Sequence, residues 1–455
     1  MNNPLPLIIP VENQVRELDS KLLLATCATK ENISSYIGYR TELDIMITTL
    51  PKGIYLSKSM TRRSNKMFKI LSKLGHIICA WDEEALVHYP PDIYFKRRLS
   101  PIAIQYLELL FAWGKENEDL FRSYDHFPKT LPIHKVGNPR LDLLREEFSE
   151  YFEHEIANIK NAHGKFILIN TNFGNVNSHL PIHNLFLSKD SNGNYQKISP
   201  TAQADLGWNY SEGRSKFKQK ILDEFLQLIP KLSEEFTDFK IVIRPHPIEN
   251  HSPYEKLASK LKNVKVEHSK NVIPWLRAAH TVIHNGCTTG IEAYLCGNPA
   301  IAYTPVTSER FGDALPNKLS NCCTTENEVI ETIRNKNNLN HNLSSILNDY
   351  ITYNESKLCC ENIIEVISTI SPSIESDSLT NAYGQLLARK RRLSKRIKGL
   401  NKSSKYNQSF QELRFPSLDL TVLNNKIKLF SKIIKLESEP KIEKVSNHIF
   451  RISPG

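Results

Sequence analysis

The stretch that decides the fold runs from Thr281 to Tyr303 and has the sequence TVIHNGCTTGIEAYLCGNPAIAY. Its apolar start predicts a buried strand, the small and polar residues that follow predict a loop, and TGIEAYLCG predicts a helix. PAIAY then predicts another strand. A strand, a helix and a strand in succession are typical of a parallel sheet covered by helices, so the stretch indicates an α/β fold.

The same alternation extends over most of the chain, where helix-length amphipathic segments separate apolar runs. Further strands are predicted at PLIIP, DIMITT, GIYLS, HIICAW, LLFAWG, IHKVG, KFILIN, KIVIR and NVKVEH. They predict two Rossmann-like domains, residues 1–160 and 161–370, with a cleft between them. Residues 176–215 are polar and aperiodic, which predicts a lid or binding loop.

Charge is distributed unevenly along the 455 residues. The net charge is +10, and residues 371–455 hold 17 Lys and Arg against 7 Asp and Glu, which leaves 42 of each sign in residues 1–370. A neutral body argues against an enzyme of nucleic acids, whose groove should be basic. The eight cysteines form no CxxC pair, and we find no secretory signal or apolar span, so a cytoplasmic protein with reduced thiols is expected.

The C-terminal segment, residues 371–455, is predicted to be a separate basic, partly helical tail behind a linker, SPSIESDS. Nine cations and no acid lie between Arg389 and Lys405. Leu386, Leu393, Ile397 and Leu400 are spaced to share one helical face. A basic amphipathic helix over residues 386–405 fits an anionic membrane surface. A solvated tail and a nucleic-acid-binding tail are the alternatives.

Polar residues follow three predicted strands of the second domain. Ligands of doubly wound sheets bind beyond the carboxyl ends of the strands, so these residues are the candidates for binding a phosphate-bearing ligand. They are Asn170, Asn172, Arg244, His246, Asn285, Gly286, Thr288, Thr289 and Glu292. The two threonines open a helix whose N–H groups and dipole could receive a phosphate, or they could merely cap it. Glu292, expected in the first turn, could accept hydrogen bonds from a ribose.

Two prolines enclose the histidine of RPHP, residues 244–247. Pro245 and Pro247 restrict the backbone and bias Arg244 and His246 towards extended conformations. Beside a phosphate the imidazole could neutralise a departing nucleotide or donate a proton. A lone histidine at a strand end is otherwise structural.

Acids of the first domain are the candidates for acting on an acceptor. Asp82, Glu83 and Glu84 follow HIICAW, and Glu17 and Asp19 follow the first strand. Such a carboxylate could remove a proton from an acceptor hydroxyl or attack the anomeric carbon. A solvated surface charge or a helix cap is the alternative for each. We find no DxD-like pair at a strand exit, no GxGxxG and no P-loop, so neither a metal nor a cofactor is expected.

Several motifs in order resemble the bacterial surface carbohydrate biosynthesis proteins over residues 5–325. They are LFAWGKENEDLF, VGNPRLDLL, ILINTNFGNVN, RPHPIEN and PWLRAAHTVIHNGCTTGIEAYLCGNPAIAY. The resemblance implies the GT-B glycosyltransferase architecture. His246-Pro247 is similar to the HP motif of sialyltransferases and Kdo transferases, which implies contact with a CMP leaving group and a phosphate role for Thr288 and Thr289. Glu83-Glu84-Ala85 resembles their acidic D/E-D/E-G motif, with alanine in place of glycine, which implies Glu83 as the catalytic base and leaves Asp82 and Glu84 as alternatives.

The resemblance implies a metal-independent glycosyltransferase of surface polysaccharide, lipopolysaccharide or capsule biosynthesis. Its donor would be a CMP-activated ulosonic acid, such as Kdo or a nonulosonic acid, and its acceptor a glycan or a lipid-linked glycan. It would act in the cytoplasm, at the inner face of the cytoplasmic membrane, without a nucleic-acid partner. A UDP-sugar epimerase, a CDP-polyol phosphotransferase and a non-catalytic scaffold stay open as alternatives.

Overall fold

A computed structural model describes residues 4–268, 271–312, 314–335, 344–354, 356–371, 378–401, 404, 406–408, 411–412 and 415–455. The chain forms two compact units. The first contains Met1–Leu86, Arg97–Leu143 and Asn348–Gly455, and the second contains Val87–Lys96 and Leu144–Leu347.

The first unit is built on an eight-stranded sheet in the order β15-β16-β2-β1-β3-β4-β5-β6. Strands β1 to β6 pair in parallel, whereas β15 and β16 pair antiparallel at the β2 edge. The strands are β1 Leu7–Val11, β2 Ser35–Tyr39, β3 Ile54–Ser57, β4 Ile77–Ala80, β5 Leu109–Ala112, β6 Ile133–Lys135, β15 Lys441–Ser446 and β16 Ile449–Ser453.

The second unit is built on a six-stranded parallel sheet in the order β11-β10-β7-β12-β13-β14, with a separate hairpin, β8-β9. Its strands are β7 Phe166–Asn170, β8 Phe186–Lys189, β9 Tyr195–Ile198, β10 Lys240–Arg244, β11 Val264–Val266, β12 Thr281–His284, β13 Ile301–Tyr303 and β14 Asn321–Cys323. The six parallel strands of the first sheet and the parallel second sheet confirm the predicted α/β class with two Rossmann-like units.

Helices cover both sheets. They are α1 Gln14–Ala28, α2 Arg40–Met46, α3 Asn65–Lys73, α4 Pro91–Arg98, α5 Pro101–Ile104, α6 Lys115–Arg122, α7 Pro139–Asp142, α8 Ser149–His163, α9 Pro200–Asp205, α10 Trp208–Glu235, α11 Ser252–Ala258, α12 Val272–Ala278, α13 Thr288–Leu295, α14 Ala314–Lys318, α15 Glu326–Arg334, α16 Ser344–Tyr350, α17 Cys359–Ser368, α18 Ser378–Gly399 and α19 Leu420–Ile433. Among the described residues, none of these helices is long and apolar enough to span a bilayer.

The second sheet is buried on both faces, as parallel sheets usually are. Residues such as Ile167, Ile241 and Ile283 pack against α10, whereas the alternate residues Leu168, Val242 and Val282 pack against α8 and α12. This alternation fixes the direction of the polar side chains that end each strand.

The C-terminal segment is not a separate tail, and this corrects the sequence-based prediction for residues 371–455. Ile449, Phe450 and Ile452 are at most 1% exposed and lie in β16, which extends the first sheet beside β2. Residues 348–370, predicted to belong to the second domain, also lie in the first unit. The high charge of the segment concealed a five-residue strand, IFRIS, with three buried apolar side chains. Residues 372–377 of the predicted linker lie outside the described residues.

Two further predictions are wrong in their local structure. DIMITT was predicted to be a strand, but its first residues end helix α2. Residues 176–215 were predicted to be an aperiodic lid or loop, but they contain the β8-β9 hairpin, α9 and the start of α10. Leu185, Phe186, Leu206 and Tyr210 form a small core there, and these widely spaced apolar residues gave no helix or strand period.

Candidate functional site

Three polar side chains form one row at the carboxyl ends of adjacent strands in the second unit. Arg244 of β10 pairs in register with Asn170 of β7, which pairs with His284 of β12. Each lies two residues after a side chain that packs against α8 and α12. Because side chains two apart in a strand point the same way, all three lie on that face of the sheet. The parallel register thus brings together two of the predicted donor-binding residues, Asn170 and Arg244.

The loop after β12 is held by the histidine that ends the strand. His284 is fully buried; its Nδ1 accepts the Gly286 N–H at 3.0 Å, and its Nε2 lies 2.8 Å from Ser320 Oγ. Gly286 has φ +76°, a left-handed conformation that favours glycine. A Cβ on Gly290 would lie 2.5 Å from His284 Nε2, so only glycine lets α13 approach the strand this closely. His284 is therefore structural.

Helix α13 begins at Thr288, and its first turn lies against the polar row. Asn170 Nδ2 donates a hydrogen bond to Thr289 Oγ1 at 3.4 Å. The N-cap is Cys287, so neither threonine occupies the capping position. Glu292 is the fifth residue of the helix and is half-buried. It lies in the second turn, which corrects its predicted place in the first turn, and the helix dipole favours it less there.

Two buried amide side chains lie beside this helix N-terminus, and their oxygens can accept further hydrogen bonds. Asn170 and Asn285 are at most 5% exposed, and within the described part of the chain neither Oδ1 atom has a hydrogen-bond partner. The Asn285 Nδ2 donates to the carbonyl of the exposed Asn172 at 3.3 Å. Buried polar atoms are rarely left without partners, so these two oxygens are suited to accept hydrogen bonds from a ligand.

The Arg244 guanidinium stacks on an aromatic ring of α12. Its central carbon lies 4.9 Å from the centre of the Trp275 ring. Burial lowers the pKa of Arg244 to about 10, against the opposing charge of Glu267. Arg244 therefore stays cationic at neutral pH, and stacking fixes its orientation at the end of β10.

A buried carboxylate that the sequence did not single out supports His246. Glu249 is 1% exposed and accepts hydrogen bonds from the backbone N–H groups of His246 and Phe173, the Thr171 hydroxyl and the Tyr254 hydroxyl. Burial raises the pKa of Glu249, although these hydrogen bonds oppose the shift. The His246 Nδ1 also accepts the Ile248 N–H at 3.4 Å. The backbone around His246 is thus tied to the turn after β7.

Lys218 of α10 is a second residue that the sequence did not single out. It is 3% exposed, and its charge acts on the thiol of Cys287, at the N-terminus of α13. Burial raises the pKa of that thiol to about 11, although hydrogen bonds with Thr289 and, more weakly, the charge of Lys218 oppose the shift. KFKQK in an amphipathic helix predicts solvated lysines, so only the tertiary structure could show that this one is buried.

The three acids after β4 lie in the first unit and differ in accessibility. Asp82 is fully buried, and both its carboxylate oxygens bind Arg98. Glu83 accepts a hydrogen bond from the Trp81 indole at 2.9 Å. Glu84 has half of its side chain exposed and lies 3.6 Å from Arg16. Partial burial raises the pKa of Glu84, but the charges of Arg16 and Arg98 outweigh this effect and lower the pKa, so the exposed half of the side chain presents an ionised carboxylate at neutral pH.

The two acceptor-side candidates on α1 are engaged in ion pairs. Glu17 is 4% exposed and binds Lys21 at 2.9 Å and Lys58 at 2.7 Å. Burial raises its pKa, but the two lysines outweigh burial and hold the pKa well below its usual range. Asp19 binds Lys426 of α19 at 2.9 Å. The predicted role of these two acids gains no support from this arrangement, because both carboxylates hold the unit together.

In the part of the chain that the structure describes, no group of three or more His, Cys, Asp or Glu side chains could hold a metal ion. The cysteines of this part are free thiols.

Comparisons with known proteins find similar folds only. Neither a scan against protein-family models nor a search of curated proteins finds a match. Among solved structures, the Methanocaldococcus jannaschii UDP-GlcNAc 2-epimerase in complex with UDP-GlcNAc and UDP is 12% identical, with a TM-score of 0.49 over 80% of this chain and 99% of that one. The Neisseria meningitidis UDP-GlcNAc 2-epimerase is 11% identical, with a TM-score of 0.43 over 84% of this chain and 99% of that one. The wall teichoic acid polymerase TagF with CDPG is 11% identical, with a TM-score of 0.42 over 86% of this chain and 89% of that one. At these identities the similarity concerns the fold alone.

Proposed function

We propose that the chain is a glycosyltransferase of bacterial surface polysaccharide or lipopolysaccharide biosynthesis. The donor is a CMP-activated ulosonic acid, such as Kdo or a nonulosonic acid, and the acceptor is a glycan or lipid-linked glycan. The observation that carries the proposal is the α13 N-terminus with its polar surroundings. Two buried amide oxygens, on Asn170 and Asn285, have no hydrogen-bond partner among the described residues, and they lie beside a helix start that carries Thr288 and Thr289.

The proposed division of labour follows from charge. The phosphate of CMP is received by the first N–H groups and hydroxyls of α13, and the buried cation Lys218 adds charge at the same place. Arg244 and His246 neutralise the departing nucleotide. The oxygens of Asn170 and Asn285 accept hydrogen bonds from ribose hydroxyls or the base, as a phosphate could not donate them.

Among the acids, we propose Glu84 as the base that activates the acceptor hydroxyl. A base needs an accessible, ionised oxygen within reach of the acceptor. Asp82 is fully buried and Glu83 is bound to Trp81, whereas Glu84 is half exposed. The proposal includes no metal and no cofactor, because a good leaving group needs mainly charge stabilisation at its phosphate.

The proposal also concerns location and partners. The enzyme acts in the cytoplasm and attaches peripherally to the anionic inner face of the membrane through residues 386–405, of which 402, 403 and 405 lie outside the described residues. Lipid-linked acceptors are found at such a surface, and no nucleic acid takes part.

The test is a nucleotide binding series. CMP should raise the melting temperature more than UDP, GDP or CDP, and His246→Ala and Thr288→Ala should each weaken CMP binding about tenfold or more, as expected for lost charged contacts. His183→Ala and Thr201→Ala, at exposed positions of the same unit, are matched controls. Unchanged CMP affinity in both site variants would sink the assignment.

Product analysis separates the alternatives. Slow hydrolysis of CMP-Kdo or CMP-sialic acid without acceptor would support a transferase. Release of UDP from UDP-GlcNAc would indicate an epimerase instead, and a scaffold should give no melting shift with any nucleotide.

A further inference from the structure

Helix α18 binds the first unit through the face that carries its small and some of its charged residues. Gly384 lies so close to α3 that an added Cβ would be 3.0 Å from the backbone of Lys73. Further along, Arg391 and Lys395 reach Asp44 at 3.3 and 3.4 Å. Asp44 is 6% exposed, so the two cations neutralise a buried carboxylate. The helix is therefore folded and oriented on the protein.

The opposite face of α18 is apolar and turned to solvent. Leu386, Leu393 and Ile397 are 62%, 61% and 59% exposed. The exposed apolar residues recur at alternating steps of four and three, with only Lys390 interrupting the series; they are Leu379, Tyr383, Leu386, Leu393, Ile397 and Leu400. Such a narrow stripe at this spacing is a surface made for an apolar partner.

The charge around the stripe selects the partner. Residues 378–400 contain seven cations and no acid. Two of the cations bind Asp44, and exposed cations such as Arg389, Lys390 and Arg392 flank the stripe. From the neighbouring α3, Lys69 lies 5.8 Å from the Tyr383 ring and adds a further positive charge. A second copy of this helix would bring like charges together, whereas an anionic surface would meet both the apolar and the basic residues.

We infer that α18 is a preformed membrane-docking helix whose exposed stripe inserts into an anionic lipid bilayer. Apolar side chains enter the boundary between headgroups and acyl chains, and the flanking arginines and lysines bind lipid phosphates. The inference rests on the membrane attachment in the proposed function but not on the transferase chemistry. Asp44 acts as a latch, because it holds the charged face inward and thereby keeps the apolar face outward.

Deleting the C-terminal segment would not test this inference, because β15 and β16 lie in the first sheet. Point variants of the full chain do. Binding to vesicles of phosphatidylcholine, with and without phosphatidylglycerol, is measured by co-sedimentation. The variants are Leu393→Ser with Ile397→Ser, and Arg389→Glu with Arg392→Glu. The matched control is Ile102→Ser with Ile182→Ser, which changes two isoleucines that are 55% and 61% exposed elsewhere.

Wild type and control should bind phosphatidylglycerol vesicles and leave neutral vesicles unbound. Both α18 variants should bind at least tenfold more weakly, with unchanged melting curves because the altered side chains are exposed. Equal binding to neutral vesicles, or undiminished binding of either variant, would overturn the inference. The inference would also be overturned if the wild type did not bind vesicles but formed a dimer, and if Leu393→Ser with Ile397→Ser dissociated that dimer. The stripe would then join two copies of the chain. CMP binding should be unaffected throughout, which separates this test from that of the transferase.

Discussion

Replacing Glu249 should destabilise the second unit more than any exposed acid does. The Glu249 carboxylate accepts the N–H groups of Phe173 and His246 at 3.0 and 3.1 Å, and two hydroxyls besides. In Glu249→Ala the two amides lose their acceptor. A buried donor left unsatisfied costs about 1–3 kcal/mol, so the pair predicts a loss of about 2–6 kcal/mol in the free energy of unfolding. Glu249→Gln keeps one acceptor oxygen and should cost less.

The contribution of Glu249 to stability should also depend on pH, in a direction set by its pKa shift. Burial raises the folded-state pKa of Glu249 above its ordinary value of 4.5. The unfolded chain therefore releases this proton at lower pH than the folded chain, so the stability that the protonated carboxyl contributes is complete below about pH 4.5 and is lost as the pH rises through the folded-state pKa. The stability advantage of wild type over Glu249→Gln should accordingly narrow as the pH rises above about 4.5.

Urea unfolding followed by fluorescence and far-UV circular dichroism measures both effects, with hydrogen exchange of α11 as a local probe. Glu255→Gln, at an exposed position of the same helix, is the control and should change stability by less than about 0.5 kcal/mol. A loss below about 1 kcal/mol in Glu249→Ala would refute the reasoning from buried donors. If the stability difference between wild type and Glu249→Gln instead grew as the pH rose, the assigned direction of the pKa shift would be refuted.

Three other changes test separate parts of the structure. Gly290→Ala should destabilise the second unit by about 1–3 kcal/mol in urea unfolding, because the new Cβ would lie 2.5 Å from His284. Asp142→Ala should lower the melting temperature through a loss of about 2–4 kcal/mol, since its carboxylate accepts the first two N–H groups of α17, each at 2.8 Å; an unchanged melting temperature would contradict this. Lys218→Met should weaken CMP binding about tenfold while circular dichroism stays unchanged, and calorimetry at two salt concentrations would show whether a charge was lost.

The central strands could be predicted from the sequence because burial on both faces leaves them as unbroken apolar runs. HIICAW, KFILIN and KIVIR all became strands at the expected places. SYIGY, which forms β2, was missed, and β16 was hidden in a segment weighed mainly for its charge. Both strands are five residues long and lie inside the sheet, where β2 and β16 pair with each other from opposite ends of the chain; local pattern cannot express such a distant pairing.

The candidate site was predictable only where strand ends and helix starts carry it. The register of parallel strands brought Asn170 and Arg244 together, and the start of α13 lies at Thr288. Glu249 and Lys218 could not be predicted from the sequence. Their neighbours in sequence are those of ordinary exposed polar residues, and both are buried only through tertiary packing. A carboxylate that satisfies donors from three separate segments gives no local signal.

Asp44 lies in the segment DIMITT, where the predicted strand is wrong, and it also binds helix α18. The sequence pattern of DIMITT predicts a strand, but its aspartate is a buried side chain of α2. It accepts a hydrogen bond from the Tyr55 hydroxyl of β3 at 2.9 Å and binds Arg391 and Lys395 of α18. Burial raises the pKa of Asp44, but Lys395, Arg40 and Arg391 outweigh it and lower the pKa, so the latch stays charged at neutral pH. A charge buried this way is costly unless paired, so α18 and the sheet stabilise each other. The segment that looks most separable by composition is therefore bound to the centre of its unit, and the outward face of α18 is a consequence of that pairing.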